Sequence, residues 1–264
     1  MDRSGRGVRN YIICIATLVG LVISSACSVK EDRSPCSCLL MFGMTCPDKV
    51  RTETAEIQIT SGEGFMWSER IDLSEAEGSV YTPRADLHIR AWTGYGELEV
   101  GQGILIPSGQ DCPRVYMHDS DVRPDGECFR TDVILRKNHC VMTLLVVGDG
   151  RINADLRLKG NVAGYDAVGN PYPGDFDFLL TDGGLSEGYT AVLPRQTDAS
   201  LMLVIDDGVG NHREFALGRY IVASGYDWTA EDLGDVTVTL DYAQTEIRLV
   251  IGGWESIYRY DVEI

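Results

Sequence analysis

Histidine is scarce in this sequence, and metal-ligand spacing is missing altogether. The four histidines, His88, His118, His139 and His212, are scattered, and neither Cys-x-x-Cys nor His-x-x-x-His occurs. A zinc knuckle is therefore not expected, because a closed zinc site draws on paired ligands at short spacing. His139 beside Cys140 is the one adjacency that suggests a metal, and it is too little to make a site. Asp119-Ser-Asp121 and Asp206-Asp207-Gly208 gather oxygen ligands but lack the rest of a calcium loop, so they read as plain turns. No G-x-S-x-G elbow, P-loop, H-E-x-x-H or dinucleotide fingerprint is present, so no catalytic residues and no metal or cofactor are expected. Basic residues are also few: 23 Lys and Arg stand against 40 Asp and Glu, a net charge of −17. Such a surface repels phosphate backbones, which excludes nucleic acid as a partner.

Long apolar runs are missing too. The longest, Tyr11 to Ile23, spans thirteen residues, about 20 Å as a helix against a hydrocarbon core of roughly 30 Å. Arg3, Arg6 and Arg9 precede it, and Ser24-Ser25-Ala26 follow it, directly before Cys27. Residues 1–26 thus read as a cleaved signal peptide. The cut falls between Ala26 and Cys27, in the pattern of bacterial lipoproteins, whose cysteine sulfur takes a diacylglycerol and whose acyl chains include palmitate. Ser24 stands where such boxes usually carry an aliphatic residue. Each buried methylene contributes about 0.8 kcal/mol, so two or more chains hold a globular body stably at a membrane. Apart from this covalent lipid on Cys27, no cofactor is expected. Lys30, Glu31 and Asp32 resemble a tag for export to the outer face of the cell. Without residues 1–26 the chain carries 20 basic and 39 acidic residues, net −19.

An exported protein meets an oxidising compartment, which makes Cys36, Cys38, Cys46, Cys112, Cys128 and Cys140 candidates for disulfides. Their pairing is open, except that Cys36 and Cys38 are too close in sequence to bond each other without strain.

From Asp48 onward the pattern is β. Ala55–Thr60 and Asp86–Trp92 alternate strictly, placing one set of side chains on a core and the other in water. Further strands are expected at 97–106, 113–117, 129–135, 140–147, 153–159, 176–180, 189–193, 200–206, 213–217, 235–243, 245–251 and 257–264. Short strands with Gly, Pro, Asn and Asp between them point to all-β sandwiches or barrels. Val141–Val147 reads as a central strand covered on both faces, or as one at a domain junction. Gly94-Tyr-Gly96 and Gly101-Gln-Gly103 read as bulge or turn positions. Leu217–Gly225 can form one or two helical turns closed by Gly225, and Thr229–Leu233 carries a helix-start cue. The pattern restarts near Arg136 to His139, which gives a tether and start of the mature chain at 27–47, a first domain at 48–138 and a second at 139–264. Tyr165, Tyr172, Phe176 and Phe178 lie in the glycine- and proline-rich stretch GYDAVGNPYPGDFDF, read as a loop that either presents a sugar-stacking face or is anchored by its own aromatics. Trp228 and Trp254 are expected at partly buried core edges.

Three stretches carry a resemblance: CSVKEDRSPCSCLL at 27–40, GYDAVGNPYPGDF at 164–176, and VLPRQTDASLMLVI at 192–205 followed by FALGRYIVASGYDWTAEDLGDVTVTLDYAQTEIRLVIGGW at 215–254. They resemble the fimbrillin-associated anchor family, minor-subunit lipoproteins of protease-assembled (type V) fimbriae in Gram-negative anaerobes. Ser37 stands where that family's opening carries proline. The resemblance implies an all-β chain of two transthyretin-like β-sandwich domains in tandem after the signal peptide, lipid on Cys27, and no enzyme activity. It further implies an outer-membrane anchor that holds the base of a fimbria, limits its length and supports adhesion. Its partners would be the membrane, through lipid, and a fimbrial shaft subunit, through pairing of a strand with a groove. If 257–264 completes its own sandwich, nothing remains there to donate, which suits a terminator. Two other readings stay open: a surface lipoprotein that binds glycan or another ligand through the 164–178 loop, and an exported hydrolase using a pair of its many carboxylates.

Overall fold

Alternating side chains build paired sheets throughout the computed structural model, which describes residues 36–50, 53–147, 154–180, 188–206, 212–241, 246–251 and 254–259. Ala26, Cys27, Lys30, Glu31 and Asp32 lie outside the described residues, as do Asp207 and Gly208. The chain divides into a leading segment ending at Ser37 and a unit from Cys38 to Ile264.

The first half of that unit contains β1 (Cys38–Thr45), a 3-10 turn at Asp48–Val50, β2 (Thr54–Ser61), β3 (Met66–Asp72), β4 (Glu77–Thr82) and β5 (Leu87–Thr93). It continues with β6 (Ile104–Leu105), β7 (Tyr116–Val122), β8 (Cys128–Ile134) and β9 (Arg136–Lys137). One sheet runs β4-β1-β8 and a second runs β3-β2-β5-β7-β9. Between them lies a core of Leu40, Phe42 and Met44 from β1, Ile57 and Ile59 from β2, Leu87, Ile89 and Ala91 from β5, and Val133 from β8. β1 pairs antiparallel with β4 and parallel with β8. It begins at Cys38, within the 27–47 stretch expected as tether and start of the mature chain. Three fully or nearly buried side chains explain why: each stabilises the fold by about 1.5–3 kcal/mol through burial.

The chain passes to a second pair of sheets between Lys137 and His139. The elements are β10 (His139–Val147), β11 (Asp155–Tyr165), β12 (Pro171–Leu180), β13 (Tyr189–Pro194), β14 (Met202–Asp206) and β15 (His212–Phe215). After the helix α1 (Leu217–Ala223) come β16 (Val236–Asp241), β17 (Glu246–Ile251) and β18 (Trp254–Arg259). One sheet runs β13-β10-β16-β17-β18, the other β12-β11-β14-β15, with β6 joining β11. Their core joins Met142 and Leu144 to Leu156, Leu158, Leu203, Ile205, Val236, Val238 and Leu240. It also takes in Trp92, Leu98, Ile104, Ile106, Val115 and Met117 from the first half. The molecule is thus all-β, built as two sandwiches that share side chains.

Several expectations change. Residues 97–106 form a loop with only Ile104–Leu105 in a ladder, because sheet side chains take its carbonyls: Gln58 Nε2 donates to Leu98 O (2.7 Å), Arg90 Nη1 to Gln102 O (2.8 Å) and Trp92 Nε1 to Gly96 O (3.0 Å). The aromatic stretch at 164–178 is not a loop but the tip and second arm of the β11–β12 hairpin, whose register shifts at Gly160/Val162 and Val162/Gly164 interrupt the alternation. β3 and β4 occupy a stretch for which no strand was expected. Asp119 and Asp121 sit in β7 rather than in a turn. Val141–Val147 is central in its sheet but alternates between buried and half-buried positions, so one face only is fully covered. Thr229 starts no helix: its N–H and hydroxyl both donate to Asp227 Oδ1, which fastens a turn instead. The Leu217–Ala223 helix does form. It ends at Gly225, whose φ of +87° suits a residue without Cβ.

Candidate functional site

Where the two sandwiches meet, a few polar side chains hold the chain crossing. Asn138 lies between β9 and β10. Its N–H donates to Val115 O (3.1 Å) and its Nδ2 to Gly169 O (2.8 Å), while its carbonyl accepts from the Tyr165 hydroxyl. Arg195, just after β13, reaches across it. Nε donates to Asn138 Oδ1 (2.7 Å), and Nη1 donates to the carbonyls of Trp228 (2.6 Å) and Ala230 (2.8 Å). The 227–235 turn is fastened again from β9. Arg136 pairs with Glu231 (2.8 Å) and Asp232 (3.0 Å), and the Lys137 N–H donates to Asp232 Oδ1 (2.8 Å). Lys137 Nζ pairs with Asp235, which also accepts from Val141 N–H (3.0 Å). Behind this turn Tyr226 stacks edge-on against Trp228, with centroids 4.6 Å apart, and donates to Gly234 O (2.7 Å). Trp228 is accordingly buried rather than at an edge.

Burial sets the electrostatics here. It pushes the Arg195 guanidinium below its ordinary range, against the nearby tyrosines and aspartates. At Asp235 burial raises the carboxyl, but the Lys137 and Val141 hydrogen bonds and the charges of Lys137 and Lys49 outweigh it, so the net shift is downward. His139 is held down to about 4. Burial is the main cause, opposed by its hydrogen bond to Val115 O and reinforced by Lys137 and Lys49. It is a neutral core histidine, edge-on to Tyr116 at 5.2 Å, and not a ligand. Its neighbour Cys140 faces Tyr226 instead.

The expected site cysteines are spread over both sandwiches, although the pairing of β1 with β8 brings Cys38 near Cys128. Cys36 and Cys128 are exposed, whereas Cys38, Cys112 and Cys140 are buried, and these five form no disulfide. Burial pushes the Cys112 thiol up to about 12 and the Cys140 thiol up to about 11, so both stay protonated and inert to exchange. Cys46 packs against the first core. His88 lies between Asp119 and Asp121, 3.0 Å from each. Among the described residues no group of three His, Cys, Asp or Glu side chains is placed to hold a metal ion, and no helix is long and apolar enough to cross a membrane.

Edges of sheets are the other candidates, because an edge offers main-chain groups to a partner strand. Some are already taken. Gly109 N–H bonds Asp177 O on β12 (2.9 Å), Cys112 N–H bonds Val192 O on β13 (3.1 Å), and Asp111 Oδ1 accepts from Val192 N–H (2.7 Å). β18 closes one end of its sheet by pairing with β17, and Tyr258 on it packs on Tyr220 of α1. Residues 260–264 of the expected last strand lie outside the described residues. The three-stranded sheet ends in β4 on one side and β8 on the other.

This architecture recurs in solved structures. The fimbrial anchor protein Mfa2 from Porphyromonas gingivalis superposes with a TM-score of 0.62 at 13% identity, over 85% of this chain and 100% of that one. The chain shares its fold with a fimbrial anchor protein. A Bacteroides thetaiotaomicron structure described provisionally as a polysaccharide-binding protein also gives 0.62, at 12% identity over 86% and 99% of the two chains. A provisionally described adhesin from Bacteroides ovatus gives 0.60, at 9% identity over 84% and 96%. No family model and no curated protein matches the sequence. Sequence reading missed Arg195 and Asn138, although both stand inside or beside stretches it singled out. Their partners lie 31 to 57 residues away along the chain, and no local pattern marks that.

Proposed function

We propose that the protein is a non-catalytic surface lipoprotein that anchors the base of a fimbria to the outer membrane, limits its length and so supports adhesion. The observation that carries this reading is the shared fold with a fimbrial anchor protein over that protein's whole length. The stretches that resemble the anchor family support it from a second side: Tyr226, Asp227, Trp228, Leu233 and Asp235 of the 215–254 block are the residues of the turn clamped at the crossing between sandwiches. Lipid on Cys27 holds the protein to the membrane. The shaft subunit adds an extended segment to an edge of the three-stranded sheet, at β4 or β8, through main-chain hydrogen bonds.

Deleting the gene in the source bacterium and viewing the cells by electron microscopy tests the reading. Long fimbriae shed into the medium are the expected result. Fimbriae of unchanged length that stay attached would overturn it. Replacing Cys27 with Ala should move the protein from the membrane pellet to the soluble fraction.

A further inference from the structure

The sheet β3-β2-β5-β7-β9 carries a cluster of charges that the anchoring role does not use. His88 and Arg90 are alternate residues of β5, and their ladder partners on β7 are Asp121 and Asp119. Alternate residues and ladder partners project to the same face, so the four side chains share it. His88 is clamped from two sides: Nδ1 lies 3.0 Å from Asp121 Oδ1, and Nε2 lies 3.0 Å from Asp119 Oδ2. A neutral imidazole has one N–H and one lone pair, so it donates to one carboxylate only. Both contacts are hydrogen bonds only while the ring is protonated.

Arg90, directly across the ladder from Asp119, is left incomplete. It is 3% exposed. Its Nη1 donates to Gln102 O (2.8 Å), and its guanidinium lies 5.0 Å from the centre of the Trp92 ring. Nε and Nη2 are buried without a partner. These two nitrogens share one edge of the guanidinium, the edge that can grip a carboxylate through two parallel N–H···O bonds. The negative charges acting on Arg90 are Asp119 and Asp166. Asp166 is committed to its own turn, where Oδ1 accepts from Val168 N–H (3.0 Å) and Asn170 N–H (2.9 Å) and Oδ2 from Asn170 Nδ2 (3.2 Å). Asp119 is the carboxylate with freedom to turn. Burial pushes its carboxyl up, His88 and Arg90 pull it down, and Asp121 adds to the rise.

Loss of the His88 proton breaks one of the two clamps. Releasing Asp121, 86% exposed, into water leaves the Arg90 edge empty. Releasing Asp119 fills that edge, and it is the buried, charged donors that are costly to leave unmet. Other groups near His88 do not compete: its ladder partner on β2 is Thr60, and Asp86 pairs with Arg123 (3.4 Å). We propose that Asp119 is a pH-dependent latch, held by protonated His88 and yielded by neutral His88 to the free edge of Arg90. The latch acts on the 97–106 loop, which Arg90 pins at Gln102 O and whose Leu98, Ile104 and Ile106 enter the second core. An arginine gripped on both edges holds that loop more tightly, so the loop loosens in acid and tightens as His88 loses its proton. The device is independent of anchoring.

The test uses the full-length mature protein, labelled with nitrogen-15, at about pH 5 and about pH 8, the range across which histidine changes charge. As His88 deprotonates, the Arg90 Nε–H resonance should move downfield, and amide protection factors over 97–103 should rise several-fold. Asp119→Asn should lose both changes and keep the low protection at either pH. His88→Gln, which cannot be protonated, should show the high protection at both, and Asp121→Asn should keep the response. All three side chains are at least partly exposed, and unchanged protection in the buried strands should show that each variant folds. An Arg90 resonance indifferent to the His88 titration overturns the proposal. So does a response that survives Asp119→Asn or vanishes in Asp121→Asn.

Discussion

Arg195 shows how one side chain can hold distant parts of a chain together. It satisfies Asn138 Oδ1 and two backbone carbonyls at once. Arg195→Met keeps much of the aliphatic volume but leaves those acceptors unmet in a half-buried place. The expected loss is about 2–4 kcal/mol, read as a lower urea midpoint at unchanged slope. Arg195→Lys should recover only part of it, because an ammonium lacks the planar fork. His139 adds a pH dependence. Its folded value of about 4 lies below the ordinary 6.5, so between these the unfolded chain binds the extra proton and stability rises with pH. A contribution on the order of 3 kcal/mol is fully present above pH 6.5 and is lost as pH falls toward 4. Asp235, also held below its ordinary value, adds a loss at still lower pH. Urea midpoints at pH 7 and pH 5 should therefore differ more for the native protein than for His139→Asn; equal differences would remove His139 from the account. The sequence places His139 beside a cysteine and suggests a metal, yet the carbonyl it bonds lies 24 residues upstream.

β1 is the element whose reading changed most. Its sequence, CLLMFGMT, is apolar nearly throughout and follows a polar tether, so no alternation marks where the sheet begins. In the fold, Leu40, Phe42 and Met44 face the core, while Leu39 and Met41 stay half-buried on the other face. Leu40→Ala should cost about 2–5 kcal/mol, measurable by denaturant unfolding, whereas Met41→Ala should cost much less. Comparable losses would contradict the assigned faces. β3 and β4 escape sequence reading for the opposite reason. They are outer strands with exposed, charged or small side chains, so the apolar signal is weak. Residues 97–106 mislead in turn, since Leu98, Ile104 and Ile106 are buried but hang from a loop pinned by Gln58, Arg90 and Trp92.

At the scale of the molecule, the two sandwiches are coupled by both core and clamp. Trp92, Val115 and Met117 come from the first half yet pack in the second core, and Asn138 and Arg195 close the crossing. Heat unfolding should therefore follow one cooperative transition, with calorimetric and van't Hoff enthalpies equal. Asn138→Ala should broaden or split it. Two separate transitions in the native protein would mean that the shared residues do not couple the halves. In the anchoring role proposed above, such coupling would pass load from one sandwich to the other.

Alternation, glycine and proline punctuation and the scarcity of helical periodicity were enough to determine an all-β chain, because those signals are local. The helix ending at Gly225 was legible for the same reason. The start of the first strand, the faces of β1, the loop at 97–106 and the clamp of Asn138 and Arg195 were decided by tertiary structure alone. Each depends on groups brought together from far apart in the chain, and a hydrogen bond between residues 138 and 195 leaves no periodic trace in either neighbourhood. The exposed face of Tyr172 belongs with these. The sequence offered four aromatics in one stretch, and only the ladder through Gly164 separates the ring that faces water from those that fill the core.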